Sequence, residues 1–303
     1  MQAVQLFGAI LRLFAYYVLA GLLTNYLIPI LGNHSIEAIA NVNYINQHPE
    51  LFYTFAWSDM CGKLFGFILL PVLYLTLSKQ KDVNPFKQSD HIPFEWTSVF
   101  LGIILLILSL PWINVMADWN KGIHLPAVFK QIEENIIRTE TLGESVTNLF
   151  LQVHSPVGFI LSFFAIAIIP AIGEEMIFRG FFQRELYIYT NNIHLSVWIA
   201  AFIFSFIHFQ FFGFFPRMIL GALFGYMMIW TGSFLVPVMM HFANNSLTLI
   251  LMLAYKNQFI TFDPEKSEQI PLLFIFFSLL MSILILNNRK TRYDLLTSSY
   301  IKS

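Results

Sequence analysis

The sequence predicts an all-α membrane protein, a bundle of about eight helices that cross the bilayer. Of its 303 residues, 57% are hydrophobic and only 12% are charged, whereas a soluble domain carries about 25% charged residues. The apolar residues are gathered into runs close to the length of about 20 residues that a helix needs to cross the hydrocarbon core. Most charged residues fall between those runs. The eight predicted spans are 4–31, 52–77, 97–116, 157–182, 195–212, 214–231, 234–255 and 271–288.

The first spans and their loops set the expected orientation. The run 4–31 is too long for the apolar core of a signal peptide, and no basic segment precedes it, so we expect a membrane helix. The loop 32–51 has no Lys or Arg, whereas Lys79, Lys81 and Lys87 follow the second span. Because cytoplasmic loops are enriched in basic residues, we expect both termini in the cytoplasm, with the chain in the plasma or inner membrane.

A long loop, residues 117–156, separates the third and fourth spans. It contains "LPAVFKQIEENIIRTETLGESVTNLFLQ", in which Val128, Ile132, Ile136 and Ile137 recur at helical spacing with charges between them. This pattern is typical of a helix that lies on the membrane surface or caps the bundle. An ordinary connecting helix fits it equally well.

The last five spans follow with shorter connections. The fourth and fifth are joined by the turn "YTNNIH", and the sixth contains "GALFG", Gly221 to Gly225, a small-residue face for helix packing. A basic tail with Arg289 and Lys290 follows the eighth. We therefore divide the chain into an N-terminal membrane region with the long loop, a central core, and a last helix with its tail: 1–156, 157–250 and 251–303.

Very few ionisable residues lie deep inside the apolar runs. The deep acids are Glu174 and Glu175, in "AIGEEMIFRGFF", and the deep histidines are His208 and His241. An ionisable group in a membrane helix costs a few kcal/mol, so it faces the protein interior and usually marks function. The other histidines lie in loops or at helix ends: His34, His48, His91, His124, His154 and His194.

Pairs four residues apart indicate which of these side chains share a helix face. Glu175 and Arg179 form one such pair, which would neutralise two costly charges. Glu174 is rotated by about 100° from its neighbour and points elsewhere. The other pairs share the same spacing: Phe204 with His208 in "FSFIH", and His241 with Asn245 in "HFANN".

The hairpin turn predicts that Glu174 and His208 lie at the same depth in the membrane. Glu174 and His208 are each 17 residues from Asn191, in the turn. An antiparallel hairpin would therefore bring them level. His241 would complete the cluster if its helix packs beside the other two.

This set of side chains suits the hydrolysis of an amide bond. Glu174, partly desolvated, is the candidate general base for water, and His208 would hold the same water or shuttle its proton. His241 and Asn245 offer N–H donors for the oxyanion. Glu174, His208 and His241 also match a catalytic zinc site with water as the fourth ligand. We expect no cofactor and keep zinc as the alternative.

Other classes of function find less support. There is no HExxH zinc motif, no GxSG-type serine and no GxGD aspartate motif. The single cysteine, Cys61, excludes an intramolecular disulfide and a cysteine-rich metal site. A net charge of −1 gives no reason to expect nucleic acid as a partner.

Together, "EEMIFR", "FSFIH" and "HFANN" resemble the EExxxR, FxxxH and HxxxN motifs of the CPBP family, the CAAX proteases and bacteriocin-processing (Abi-type) membrane proteins. The resemblance covers about residues 157–250. It implies an eight-helix, glutamate-dependent intramembrane endopeptidase; eukaryotic members remove the last three residues of prenylated CAAX proteins. Its partners would be the bilayer and a peptide or protein substrate, with or without a lipid modification.

The resemblance also implies a role for each motif residue. Glu174 is similar to the water-activating glutamate and His208 to its partner, while His241 and Asn245 resemble the oxyanion residues. The supporting residues are those that would orient these groups or the substrate: Glu175, Arg179 and Phe204. The alternative from another class is a non-catalytic membrane protein, an immunity factor or transporter, that keeps the polar cluster for packing or ion passage.

Overall fold

The computed structural model describes residues 41–77, 94–152, 155–264, 266–267 and 270–301, with four isolated positions near the N-terminus. In these parts of the chain every regular element is a helix and no strand occurs. The helices are α1 (Val42–Gln47), α2 (52–77), α3 (Trp96–Lys121), α4 (Lys130–Phe150), α5 (Pro156–Thr190), α6 (Ile193–Phe206), α7 (Phe214–Thr231), α8 (Leu235–Lys256) and α9 (Leu272–Ile301). The predicted all-α fold class is confirmed.

Six described helices are long and apolar enough to cross a membrane: α2, α3, α5, α7, α8 and α9. Helix α6 is apolar but has only 14 residues. The first predicted span, 4–31, and the lysines at 79, 81 and 87 lie outside the described residues. The polytopic bundle is therefore confirmed, whereas the count of eight spans stays a prediction.

Several predicted helix ends are wrong. Helix α3 continues past residue 116 to Lys121, and helix α9 continues past residue 288 to Ile301. Helix α5 does not stop at residue 182 but continues to Thr190, through a wide π-helical stretch, Met176–Gln183. Helix α6 does not reach residue 212. It ends at Phe206, and the backbone then turns through Phe209, whose φ of 52° no regular helix allows.

The predicted turn at "YTNNIH" and the helix in the long loop are confirmed. Helix α5 ends where Asn191 adopts a left-handed conformation, φ 48°, and the Asn192 side chain caps the start of α6. Helix α4 occupies the long loop and packs against the segment 207–213, which connects α6 to α7. A Cβ on Gly143 of α4 would clash with the Gln210 amide, so α4 packs directly on this connection.

A proline explains why α5 is irregular before the glutamates. Helix α5 begins at the Ser155 cap and passes through a π-helical stretch, Phe164–Ile168, just ahead of Pro170. Proline has no N–H, so the carbonyl four residues earlier, that of Ile166, loses its usual helical partner. The side chain of Asn245 on α8 supplies it, with Nδ2 donating to the Ile166 carbonyl at 3.0 Å.

The "GALFG" face of α7 allows α5 and α6 to approach closely, as predicted. A Cβ on Gly221 would come within 3.2 Å of the Arg179 guanidinium and of the Phe204 ring. A Cβ on Gly225 would clash with the Gln183 amide oxygen. Both glycine carbonyls accept hydrogen bonds from α5, from Arg179 and from Gln183 respectively. The small residues therefore serve to bring polar side chains of α5 against the α7 backbone.

Candidate active site

Glu175 lies at the centre of the polar cluster, completely buried. Its side chain is 0% exposed, and Oε1 accepts hydrogen bonds from Arg179 Nη1 at 2.9 Å and His241 Nδ1 at 2.7 Å. The predicted pair of Glu175 and Arg179 is confirmed. Two donors, one from α5 and one from α8, therefore converge on one oxygen of this buried carboxyl group.

Arg179 joins three helices around that carboxylate. Its guanidinium, 1% exposed, donates through Nη2 to the Gly221 carbonyl on α7 at 2.9 Å. It also lies over the Phe204 ring at 4.7 Å and the Phe224 ring at 5.7 Å. Arg179 therefore holds α5, α6 and α7 together, and substrate has no access to it in this arrangement.

Glu174 has a different environment from its neighbour. Its side chain is 15% exposed, and Oε2 lies 3.9 Å from Nε2 of His241. This separation is too long for a direct hydrogen bond. The rotation expected between adjacent helical residues thus aims one carboxylate into the packed interior and leaves the other partly accessible.

His241 connects the two glutamates. A carboxylate only accepts hydrogen bonds, so the 2.7 Å contact places a proton on Nδ1 and directs Nε2 toward Glu174. Beside it, Phe204 packs edge-on with ring centroids 6.2 Å apart. The buried Glu175 thereby fixes both the tautomer and the orientation of an imidazole that faces Glu174.

His208 lies in the turn after α6, not on a helix face as the spacing predicted. Its Nδ1 donates to the Phe204 carbonyl at 2.7 Å, and its ring stands edge-on to the Phe204 ring at 5.0 Å. The imidazole interacts electrostatically with Glu174 and His241, without a direct hydrogen bond to either in the described part of the chain. Since Nδ1 carries the proton, Nε2 of the neutral ring is an acceptor.

Asn245 borders the same cluster on α8. One of its amide hydrogens is used on the Ile166 carbonyl, and its Oδ1 accepts from Asn244 Nδ2 at 3.2 Å. An amide nitrogen has two hydrogens, so one donor is left after the Ile166 bond. The structure thus brings Glu174, Glu175 and His241 into direct proximity and places His208 and Asn245 at the edges.

The predicted zinc ligands do not form a ligand group. Among the residues that the structure describes, no three His, Cys, Asp or Glu side chains are grouped closely enough to hold a metal ion. Glu174, His208 and His241 are all described, so this statement covers them.

Two charged groups near the cluster were missed from the sequence. On α2, Asp59 and Lys63 pair at 2.7 Å, and Lys63 Nζ donates to the Ala165 carbonyl in the first π-helical stretch of α5. The sequence could have indicated this pair, since its two residues have the same four-residue spacing inside an apolar run.

The second missed group is Arg217 at the start of α7, together with Glu140 on α4. Burial raises the pKa of Glu140, an effect that the positive charge of Arg217 opposes. Nothing in the spacing of two residues so far apart in the chain indicates that they meet.

A comparison with known protein families bears on this geometry. Residues 156–247 match the family model described as Type II CAAX prenyl endopeptidase Rce1-like. The motif-bearing region is Rce1-like. The match confirms the predicted resemblance to the CPBP family and supports, in general terms, a CAAX-type intramembrane endopeptidase. No curated protein and no solved structure matches the chain significantly.

The Rce1-like region contains every predicted site residue, from Glu174 to Asn245. The chain is thus an integral membrane protein whose helical bundle includes a region similar to a protease family. The bilayer and a peptide substrate are the partners that such a region implies.

Proposed function

We propose that this protein with an Rce1-like region hydrolyses a peptide bond within the membrane by means of water activated by Glu174. One observation carries the proposal: two adjacent carboxylates have opposite environments. Glu175 is buried and accepts hydrogen bonds from Arg179 and His241, whereas Glu174 is partly exposed and lies beside Nε2 of the His241 ring. A packing cluster has no need for a second carboxylate in that position.

Glu174 acts as the general base. It takes a proton from water as the water oxygen bonds to the scissile carbonyl carbon and the carbonyl electron pair moves to oxygen. The same proton then passes to the departing amide nitrogen as the carbon–nitrogen bond breaks, which regenerates the carboxylate.

His241 stabilises the oxyanion through Nε2–H in its protonated form. Glu175 holds the ring in place through its hydrogen bond with Nδ1, so that Nε2 faces Glu174. Asn245 contributes its remaining N–H. Two donors fixed by neighbouring helices need no reorganisation when the negative charge develops.

His208 positions the attacking water. Its Nδ1–H is engaged by the Phe204 carbonyl, so Nε2 accepts a hydrogen from the water while Glu174 accepts the other. Because α6 ends at Phe206, His208 lies in a turn, and this position allows its imidazole to extend over the cluster. The substrate is a peptide or protein in the bilayer, and a CAAX-type sequence with a lipid-modified cysteine is the first candidate.

The test is cleavage of a prenylated CAAX peptide by the full chain in proteoliposomes. Glu174→Gln keeps the shape of the side chain and removes the base, so kcat should fall by about 10²–10⁴-fold. Asn245→Ala removes one oxyanion donor and should lower kcat by about 10²–10³-fold. His208→Ala should also reduce kcat, because the water loses one of its two acceptors.

The matched control is Glu134→Gln, the same change at an exposed carboxylate of α4, which should cleave at the wild-type rate. Undiminished cleavage by Glu174→Gln would refute the base assignment. A wild-type chain that cleaves no peptide, yet loses stability or ion passage with the same substitutions, would instead support the non-catalytic alternative.

A further inference from the structure

Arg217 is a half-buried cation near the cluster that the three motifs do not include. It lies in the first turn of α7, under the connection that carries His208. Its Nη1 donates to the carbonyls of Ser205 at 3.5 Å and Gln210 at 3.4 Å, and its Nη2 donates to Gln210 Oε1 at 3.2 Å. These contacts fix the guanidinium in position, but they are long.

The oxygens that Arg217 contacts are all uncharged. A guanidinium has five N–H donors and binds a carboxylate through two parallel bonds at about 2.7–2.9 Å. In the described part of the chain no such carboxylate is bound to Arg217. The residue therefore retains the capacity for a charged, bidentate partner.

The charge interactions of Arg217 connect it to the candidate catalytic residues. The guanidinium interacts electrostatically with Glu140 first and with Glu174 second, and its charge is also felt by the His208 imidazole. Arg217 therefore lies close to the segment that carries His208 and interacts with the charge of Glu174, without a direct hydrogen bond to either side chain.

Glu140 is the carboxylate with which this cation interacts most strongly. It is carried by α4, the helix that covers the 207–213 connection, and it is only 8% exposed. Its Oε2 has no hydrogen-bond partner among the described residues. A carboxylate has thus been brought beside Arg217 without the direct hydrogen bonds of a tight ion pair.

We propose that Arg217 binds the free terminal carboxylate of the substrate, in the place that Glu140 approaches in this structure. The inference rests on the proposed function with its first candidate substrate, a CAAX-type sequence, in which three residues follow the modified cysteine. Three extended residues span about 10 Å, so the terminal carboxylate stays within about that distance of a scissile bond held at Glu174. Arg217 then determines which end of the peptide enters and how far.

The test compares two prenylated CAAX peptides that differ only at the carboxyl terminus, one a free acid and the other a carboxamide. The full chain in proteoliposomes should cleave the acid with a kcat/KM at least tenfold higher than the amide, mainly through a lower KM. Arg217→Gln should reduce this acid-to-amide ratio to near one. Arg217→Lys should retain part of it, since a lysine keeps the charge but not the fork of donors.

Glu140→Gln provides an independent check that leaves Arg217 in place. Removing the competing carboxylate should raise the acid-to-amide ratio above that of the wild type. Arg138→Gln, an exposed arginine on the same helix, is the matched control and should keep the wild-type ratio.

Several outcomes would overturn the inference without touching the proposed function. These are equal cleavage of acid and amide by the wild type, an Arg217→Gln variant that keeps the wild-type ratio, or a Glu140→Gln variant with a lower ratio. Failure of the wild type to cleave either peptide would instead remove the proposed function, and with it the basis for a substrate carboxylate.

Discussion

At the scale of single residues, neighbouring positions in the chain acquire opposite roles from their surroundings alone. Glu174 and Glu175 are chemically identical, yet one is partly exposed and the other is enclosed by Arg179 and His241. The sequence predicts the Glu175–Arg179 pair from its spacing. It does not predict that His241 joins this pair, because that contact depends on how α5 and α8 pack.

Arg179 should be essential for stability because Glu175 cannot be hydrated. Arg179→Gln leaves a buried carboxylate with one partner fewer, and we expect it to destabilise the protein by about 3–5 kcal/mol. Arg179→Lys should rescue only part of this loss, since a single ammonium cannot reach Glu175 and the Gly221 carbonyl in the same geometry. The measurement is the unfolding free energy, or the midpoint of thermal unfolding, in a fixed detergent.

A double substitution separates charge from packing. In Glu175→Gln with Arg179→Gln both charges are gone, and the amides still offer hydrogen bonds, so the loss should be smaller than the sum of the two single losses. Arg138→Gln, at an exposed site, should change stability by less than about 0.5 kcal/mol. Strictly additive losses would show that the buried pair is not coupled.

At the scale of elements, irregular stretches of helix determine where the site residues lie. The sequence predicts that α5 exists, because the bilayer sets the length of an apolar run. It does not predict where the helix widens or ends, because these features depend on partners from other helices. The Ile166 carbonyl, freed by Pro170, is satisfied by Asn245 from α8, and only the folded bundle supplies that donor.

The connection between Pro170 and Asn245 can be measured by a double-mutant cycle. Asn245→Ala leaves a buried carbonyl without its donor and should cost about 1–3 kcal/mol of stability. Pro170→Ala restores a backbone N–H that can close the helical bond to Ile166. In that background Asn245→Ala should therefore cost clearly less, as read from thermal unfolding.

The control for this cycle is another asparagine that donates to a helix carbonyl. Asn257 bonds to the Leu253 carbonyl at an exposed site, so Asn257→Ala should cost little in either background. An equal cost of Asn245→Ala with and without Pro170 would show that the amide is not compensating for the proline.

At the scale of the whole molecule, contacts between distant segments agree with the alternation of spans expected from the sequence. Helix α4 and the 207–213 connection pack together, and we expect both on the non-cytoplasmic side. The start of α3 and the end of α9 meet through a hydrogen bond from Arg292 to Glu95, and both are expected on the cytoplasmic side. The sequence could predict this alternation. The position of α4 over the 207–213 connection follows only from the packing of Gly143 on Gln210.

Cysteine labelling can show on which side of the membrane α4 and the 207–213 connection lie. The chain has one cysteine, Cys61, so a Cys61→Ser background allows a single reporter at each exposed position. Glu134→Cys on α4 should react with a membrane-impermeant maleimide on intact cells. Asn192→Cys, at the α5–α6 turn, should react only after the membrane is permeabilised. Labelling of Asn192→Cys alone on intact cells would invert the orientation, and the carboxyl end of the substrate would then enter from the cytoplasm.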